Sequence, residues 1–378
     1  MTFASNQNLL RDTRYIKEAI SLIEGLEIKR QINIMEVCGT HTQTFFRFGL
    51  RALLPASINL ISGPGCPVCI TEDRFIDEAL YLCKDADTVI ATFGDLIRVK
   101  GSRSSLEDAR AQGAQILVVY SPSEALDWAK ANPKKRVIFL GVGFETTSPL
   151  TALVVKEASR LSLKNFFVLS NHRLIPPALE ALCRDKAMTV EGFLCPGHVS
   201  IVLGEKPYLR VAGVYKKACV ICGFEPLDML ISIYMLLVQI QQTKPKVENQ
   251  YSRVVKPGGN PLARKVLKEV FETCDASWRG LGIIKKSGLK LKSAYRNFDA
   301  RRLITGKLPA VGKKNNGCLC AEVIKGKISP LACPKFRLIC SPETPLGPCM
   351  ISSEGSCRIY YEYGPAHGRK SGRVNGKK

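Results

Sequence analysis

The sequence predicts a parallel α/β protein of two units followed by a cysteine-rich segment, and three observations predict it. From about residue 31, short apolar, β-branched runs alternate with amphipathic helical stretches, the pattern of parallel strands joined by crossover helices. Nearly every apolar run ends in a loop of chemically unusual residues. After about residue 250 the alternation fades into Gly, Pro and Lys, with six cysteines between Cys318 and Cys357.

In chain order, residues 1–30 read as an N-terminal helical segment. Eight strands are expected: INIMEV near 31, INLIS from 58, TVIATF from 88, QILVVY from 115, RVIFLGV from 136, NFFVLS from 165, EGFLC from 191 and CVICGF from 219. Between them lie helical stretches such as TEDRFIDEALYLCKD from Thr71, SSLEDARAQG, SEALDWAKA and SPLTALVVKEASRLS. Ser104 followed by Glu107 has the spacing of a helix N-cap. Leu227–Ile240 is apolar apart from Asp228 and shorter than the roughly 20 residues of a membrane span, so it reads as a buried helix and no membrane partner is expected. Eight strands exceed one small sheet, which predicts a division near Lys134 into α/β units of residues 31–134 and 135–250. In parallel sheets the loops CGTHT, SGPGCPVC, FGD, YSPSE, GVGFETTSP, SNHRLIPP, CPGHVS and GFEPLD all fall at strand carboxyl ends, which predicts a cleft between the units. Residues 251–364 hold a loop, one helix and a stretch too polar for its own core, which a metal cluster would organise; residues 365–378 form a basic tail expected to be disordered.

At 46% hydrophobic residues, the 378-residue chain can fill its cores without disulfide staples. Fifteen cysteines and an N-terminus without the apolar core of a secretory signal predict a reducing, cytoplasmic setting, with metal ligation or redox chemistry instead of a secreted disulfide scaffold. The formal charge of +22 is uneven: residues 1–250 contribute +4 and residues 251–378 contribute +18. Few of these cations form dense runs and no nucleic-acid-binding motif accompanies them, so a solvated basic face is expected and a nucleic-acid partner is not.

Cys318, Cys333, Cys340 and Cys357 are separated by fourteen, six and sixteen residues in Pro- and Gly-punctuated loops, which suits four thiolates around a 4Fe-4S cluster. Zinc and unligated thiols are the alternatives, and by spacing alone Cys320 could replace Cys318. With the four assigned, Cys320 and Cys349 remain as a thiol pair beside the cluster. Cys66-Pro-Val-Cys69 precedes the helix expected from Thr71, where a helix N-terminus favours thiolate and a redox dithiol; half of a zinc site completed by Cys219 and Cys222 is the alternative. Cys219, Cys222, Cys83 and Cys183 read as small hydrophobes. Cys38-Gly-Thr-His41 joins a thiol and an imidazole as an open metal site or, alternatively, a nucleophile pair. His172 and His198 fall in chemistry-bearing loops, with a hydrogen-bonded structural role as the alternative; Glu145 reads as a general base or as a carboxylate at a helix N-terminus.

Taken in register from about residue 30 to 363, CGTHT, GPGCPVC, GFETTSP, HRLIPPAL, PGHVS, GFEPLD, QYSRVVKPGGN and PLGPCMISSEGSC resemble the HypD family of hydrogenase maturation factors. The resemblance implies two Rossmann-like domains around a cleft and a C-terminal iron-sulfur domain similar to part of ferredoxin-thioredoxin reductase. It implies a scaffold on which, with a HypC-like chaperone and a HypE-like cyanide donor, the Fe(CN)2CO group of nickel-iron hydrogenases is assembled. Cys38 would then ligate the transient iron with its cyanide and carbonyl ligands, beside His41. Cys66 and Cys69 would cycle between dithiol and disulfide. Cys318, Cys333, Cys340 and Cys357 would hold the 4Fe-4S cluster, with Cys320 and Cys349 as relay. Loops bearing Glu145, Thr146, Thr147, His172 and His198 would line the cleft and hydrogen-bond cyanide. An iron-sulfur thiol-disulfide reductase acting on other proteins is the competing function.

Overall fold

The computed structural model describes residues 8–309 and 317–364; the basic tail and the segment 310–316 lie outside the described residues. All eight expected strands are present: β1 (Ile32–Glu36), β2 (Ile58–Ser62), β3 (Thr88–Thr92), β4 (Gln115–Val118), β5 (Arg136–Gly143), β6 (Phe166–His172), β7 (Gly192–Pro196) and β8 (Ala218–Cys222). Three more follow, β9 (Val247–Asn249), β10 (Phe271–Trp278) and β11 (Gly282–Leu291).

The strands form two parallel sheets in a Rossmann-like α/β arrangement, ordered β2-β1-β7-β8-β9 and β4-β3-β5-β6. This corrects the division expected at Lys134. β3 pairs with β5 across that boundary, Thr88 opposite Arg136, while β1 pairs with β7, Ile34 opposite Gly192. The chain starts the first sheet, leaves to build the whole second sheet, and returns to finish the first. Short apolar runs announce strands but carry no label for the partner, because pairing is decided between residues far apart in sequence.

The N-terminal helix Thr13–Glu24 is not a separate segment: Ala19 and Ile23 pack in one core with Leu227, Leu230 and Ile233 of the helix Pro226–Gln241. That helix is buried as expected, and no described helix is long and apolar enough to cross a membrane. The expected cap at Ser104 is displaced by one residue. Ser105 caps the helix Leu106–Ala111 in a reciprocal box with Asp108. The helix expected from Thr71 begins at Asp73, so a turn separates it from Cys69.

The segment 251–364 is not one domain. Tyr251 and Arg253 pack on the first unit. The stretch FETCD, which follows the helix Pro261–Val270 without a break, is the start of β10 and pairs antiparallel with β11, Phe271 opposite Leu291. Phe271, Leu289, Leu291 and Phe298 share a core with Phe139, Val155 and Val168 of the second unit. The hairpin was hidden because its alternation is carried by Lys and Glu on the exposed face and interrupted by a bulge between Cys274 and Ala276. Only residues 317–364 form the short-helix, loop-rich cysteine segment.

Candidate functional site

The chemistry converges where strands of both sheets end. A cleft of about 490 Å³ is lined by Cys38 after β1, Gly65 after β2, Asp95 after β3, Tyr120 after β4, Thr146 and Thr147 after β5, and His198 after β7. Ser352 and Glu354 of the cysteine segment close it. Parallel sheets place every such loop at one edge, which is why one cleft collects residues from Cys38 to His198.

Cys38 has extended backbone (φ −145°, ψ 132°) and caps the helix Gly39–Arg47. Its surroundings need two glycines. A Cβ on Gly65 would stand 2.5 Å from the Cys38 Cα, and one on Gly39 would overlap the Glu354 carbonyl oxygen. The CPVC loop and the C-terminal loop therefore lie directly on the Cys38 backbone. Burial, reinforced by the Glu354 charge and opposed by hydrogen bonds from Thr40 and His41, pushes the Cys38 thiol up to about 11. A cation arriving in the cleft would reverse this and take the sulfur as thiolate.

Of the other sequence-predicted cleft residues, Thr146, Thr147 and His198 line the cavity and three do not. His41 is fully buried behind Cys38, its Nε2 lying 3.3 Å from the Cys222 carbonyl oxygen and its ring stacked 5.0 Å from Phe224. Burial holds it neutral, down to about 4. His198 stacks on Phe224 at 3.8 Å, so one phenylalanine of the GFEPLD loop carries both imidazoles. His172, the last residue of β6, is buried with its ring between Thr151 Oγ1 at 3.2 Å and Ser170 Oγ at 3.1 Å, and burial lowers it to about 3. Both ring nitrogens have hydrogen-bond partners, and the ring has no place on the cleft wall.

Glu145 is also buried rather than in the cleft. Its Oε1 accepts the Ile175 N–H at 3.0 Å, tying the GFETT loop to the HRLIPP loop, while Oε2 has no hydrogen-bond partner among the described residues. Burial raises its pKa to about 8. The folded protein thus holds a proton on Glu145 that the unfolded chain loses near 4.5, and stability attributable to this group is full below that value and drains away as pH rises toward 8. Glu145→Gln is expected to flatten this slope, read as a smaller difference in urea midpoint between pH 5 and pH 8 than in the wild type.

Cys66 and Cys69 are bonded as a disulfide and are 4% and 2% exposed, below a cleft wall made by Gly65, Pro67 and Val68. The helix dipole invoked from sequence is not at hand, since the helix starts at Asp73. Instead the Cys69 backbone N–H donates to Cys66 Sγ at 3.1 Å, the local group that would favour a Cys66 thiolate. On the far side the Cys69 sulfur lies 3.9 Å from the Pro348 carbonyl oxygen, next to Cys349.

Five of the six C-terminal cysteines, Cys318, Cys320, Cys333, Cys340 and Cys357, line one small cavity with Phe336, Leu346 and Met350. Cys349 stands behind it in hydrogen-bond contact with Cys320 and Cys357. Hydrogen bonds from Cys320 and Cys349 hold Cys357 down to about 6. Among the described residues no three His, Cys, Asp or Glu side chains stand at metal-site spacing; the thiols are turned on one another. As a donor set the cavity suits a soft iron-sulfur group. Cys219 and Cys222 are fully buried in β8, and Cys222 bonds within its own loop, so the half-zinc alternative for CPVC loses its second pair.

Several functional positions escaped the sequence reading. Asp95 accepts the Ser352 hydroxyl at 2.8 Å and thereby docks the C-terminal loop on the FGD loop, and Glu354 is brought beside Cys38 by that docking. The FGD and SSEGSC strings flagged the loops without saying that they meet. Asp228 is fully buried and pairs with Arg253 at 2.5 and 2.6 Å, joining the GFEPLD and QYSRVV motifs.

A family model described as "HypD: Hydrogenase formation hypA family" matches residues 14–364. A putative hydrogenase expression/formation protein of Methanocaldococcus jannaschii is 42% identical over 356 residues, covering 94% of this chain and 98% of that protein. The hydrogenase maturation factor HypD of Rhodobacter capsulatus is 44% identical over 347 residues, covering 90% and 92%. That of Escherichia coli is 41% identical over 336 residues, covering 89% and 90%.

Proposed function

Because the chain belongs to the HypD family and is a hydrogenase maturation factor, we propose that it acts as a redox-active scaffold for the Fe(CN)2CO group of nickel-iron hydrogenases. On this reading it works with a HypC-like chaperone and a HypE-like cyanide donor. The observation that carries the reading is the position of Cys38: one thiol at the floor of a cleft walled by both sheets, with the CPVC loop on its backbone. The relatives' names speak for maturation and lend nothing to a general thiol-disulfide reductase.

The arriving iron is cargo. Cys38 offers it one thiolate and leaves the remaining positions to a partner's ligand and to diatomic ligands, as an open site must. Thr146 and His198 present a hydroxyl and an imidazole along the same wall, where they can donate hydrogen bonds to a cyanide nitrogen, while the Thr147 hydroxyl donates to the Phe144 carbonyl at 3.2 Å. Such directed bonds matter because a diatomic ligand offers little surface for other attraction. Cys66 and Cys69 supply the dithiol and disulfide states one wall away. Cys318, Cys333, Cys340 and Cys357 would hold a 4Fe-4S group, which supplies single electrons; their shared cavity and thiol chemistry fit it. Cys349 adjoins Pro348, whose carbonyl lies beside Cys69, and contacts Cys320 and Cys357, which supports the relay role of Cys320 and Cys349.

Anaerobic co-purification with the HypC-like partner from a maturation-competent cell tests the reading. Infrared cyanide and carbonyl stretches on the complex are the expected result. Their absence from a complex that forms in full would overturn the scaffold assignment.

A further inference from the structure

Arg279 sits in the turn between β10 and β11, on the hairpin that the sequence pattern did not reveal. Its backbone N–H donates to the Ile70 carbonyl at 2.9 Å, its Nε to the Thr71 carbonyl at 2.9 Å, and its Nη2 to Asp73 at 2.7 Å. These acceptors immediately follow Cys69. The same residue lines a cavity of about 170 Å³ whose wall includes Cys318, Cys320 and Pro348. One side chain, 18% exposed, therefore touches both the segment that closes the CPVC turn and the edge of the C-terminal cysteine set.

We propose that Arg279 is a positioning residue for the Cys66–Cys69 redox pair, clamping the end of its turn against the C-terminal cysteine segment. The inference rests on the thiol-redox part of the function proposed above. The turn is internally held by Ile70 N–H to Cys66 carbonyl at 3.3 Å and by Thr71 Oγ1 to Pro67 carbonyl at 2.9 Å, with Asn171 donating to Thr71 Oγ1 from β6. The Ile70 and Thr71 carbonyls take no part in these bonds: the Arg279 main-chain N–H meets the first and its Nε the second, so a side-chain substitution releases the Thr71 carbonyl and Asp73 while the Ile70 bond stays. How readily two thiols close to a disulfide depends on how firmly the chain presents one to the other. Loosening the carbonyl end of the turn lowers that effective concentration and favours the dithiol.

The test is a glutathione equilibrium on the full-length protein under anaerobic conditions, quenched by alkylation and read by mass spectrometry of the Cys66–Cys69 peptide. In the reaction, two glutathione thiols reduce the protein disulfide. One S–S bond breaks, one forms in glutathione disulfide, and two protons pass to Cys66 and Cys69. Arg279→Ala is expected to shift the equilibrium toward the dithiol by roughly tenfold. Arg279→Lys, which keeps the charge and one donor direction, falls between it and the wild type and serves if the alanine variant does not fold. Asp73→Asn, which leaves both carbonyl bonds in place, stays within about twofold of the wild type. A wild-type pair that forms a disulfide with the same equilibrium constant as folded Arg279 variants overturns the Arg279 inference alone. A wild-type pair that remains reduced at every ratio overturns the redox reading and this inference with it.

Discussion

Cys38→Ser is expected to abolish hydrogenase maturation in cells while leaving the protein folded and any iron-sulfur chromophore of the C-terminal segment intact. The sulfur is the cleft's own soft donor, and a serine hydroxyl in the same place does not ionise near neutral pH and binds iron poorly. The backbone cost is small. Serine is close to cysteine in size, and its hydroxyl oxygen can accept the Thr40 and His41 hydrogen bonds that the Cys38 sulfur takes. The loss should exceed about a hundredfold, as expected when the single endogenous ligand of a transferred metal is removed. The complex with the HypC-like partner should lack the cyanide and carbonyl stretches. Maturation at the wild-type rate with those stretches present would remove Cys38 from the proposed role.

Arg253→Met should be the most damaging single change away from the cleft, destabilising the fold by about 3–5 kcal/mol. It leaves the Asp228 carboxylate, fully buried, without its cation. Arg253 contributes two of the carboxylate's bonds; the Gln250 side-chain amide at 2.8 Å and the Glu225 backbone N–H at 3.2 Å remain, and two neutral donors do not compensate a buried charge. A shift of the urea midpoint with an unchanged slope would measure it. The effect should reach the cleft as well. Asp228 lies in the first turn of the helix that follows Phe224 and closes a capping box with Glu225, and Phe224 is the surface on which His41 and His198 stack. A double change, Arg253→Met with Asp228→Leu, should recover most of the loss, because it removes the buried charge instead of stranding it.

Much of the site was legible in advance because its chemistry is written as contiguous loops. Cys38, Cys66 and Cys69 were identified by neighbours that have a local physical reason, such as the glycine at 65 that lets one backbone lie on another. Thr146 and His198 were found in the cleft as expected. His41, Glu145 and His172 share the same motifs, yet their side chains turn inward, to Cys222, to Ile175 and to Thr151 with Ser170. A motif reports which residues are close in the chain. Whether a given side chain faces solvent or core depends on the helix or strand packed behind it.

The same distinction separates the fold's two levels of information. By itself the sequence determined the eight strands, the loops at their carboxyl ends, the buried helix after Phe224 and membership of the HypD family, because apolar periodicity and contiguous motifs are local properties. Tertiary structure alone decided that β3 and β4 join β5 and β6, that Phe271 to Leu291 form a hairpin on the second unit, and that Asp95 holds the loop carrying Glu354 beside Cys38. It also decided the reach of Arg279 from that hairpin to the CPVC turn. Each of these depends on contacts between residues separated by tens to hundreds of positions, where register and burial are set by the packing of whole elements and not by any run of neighbours.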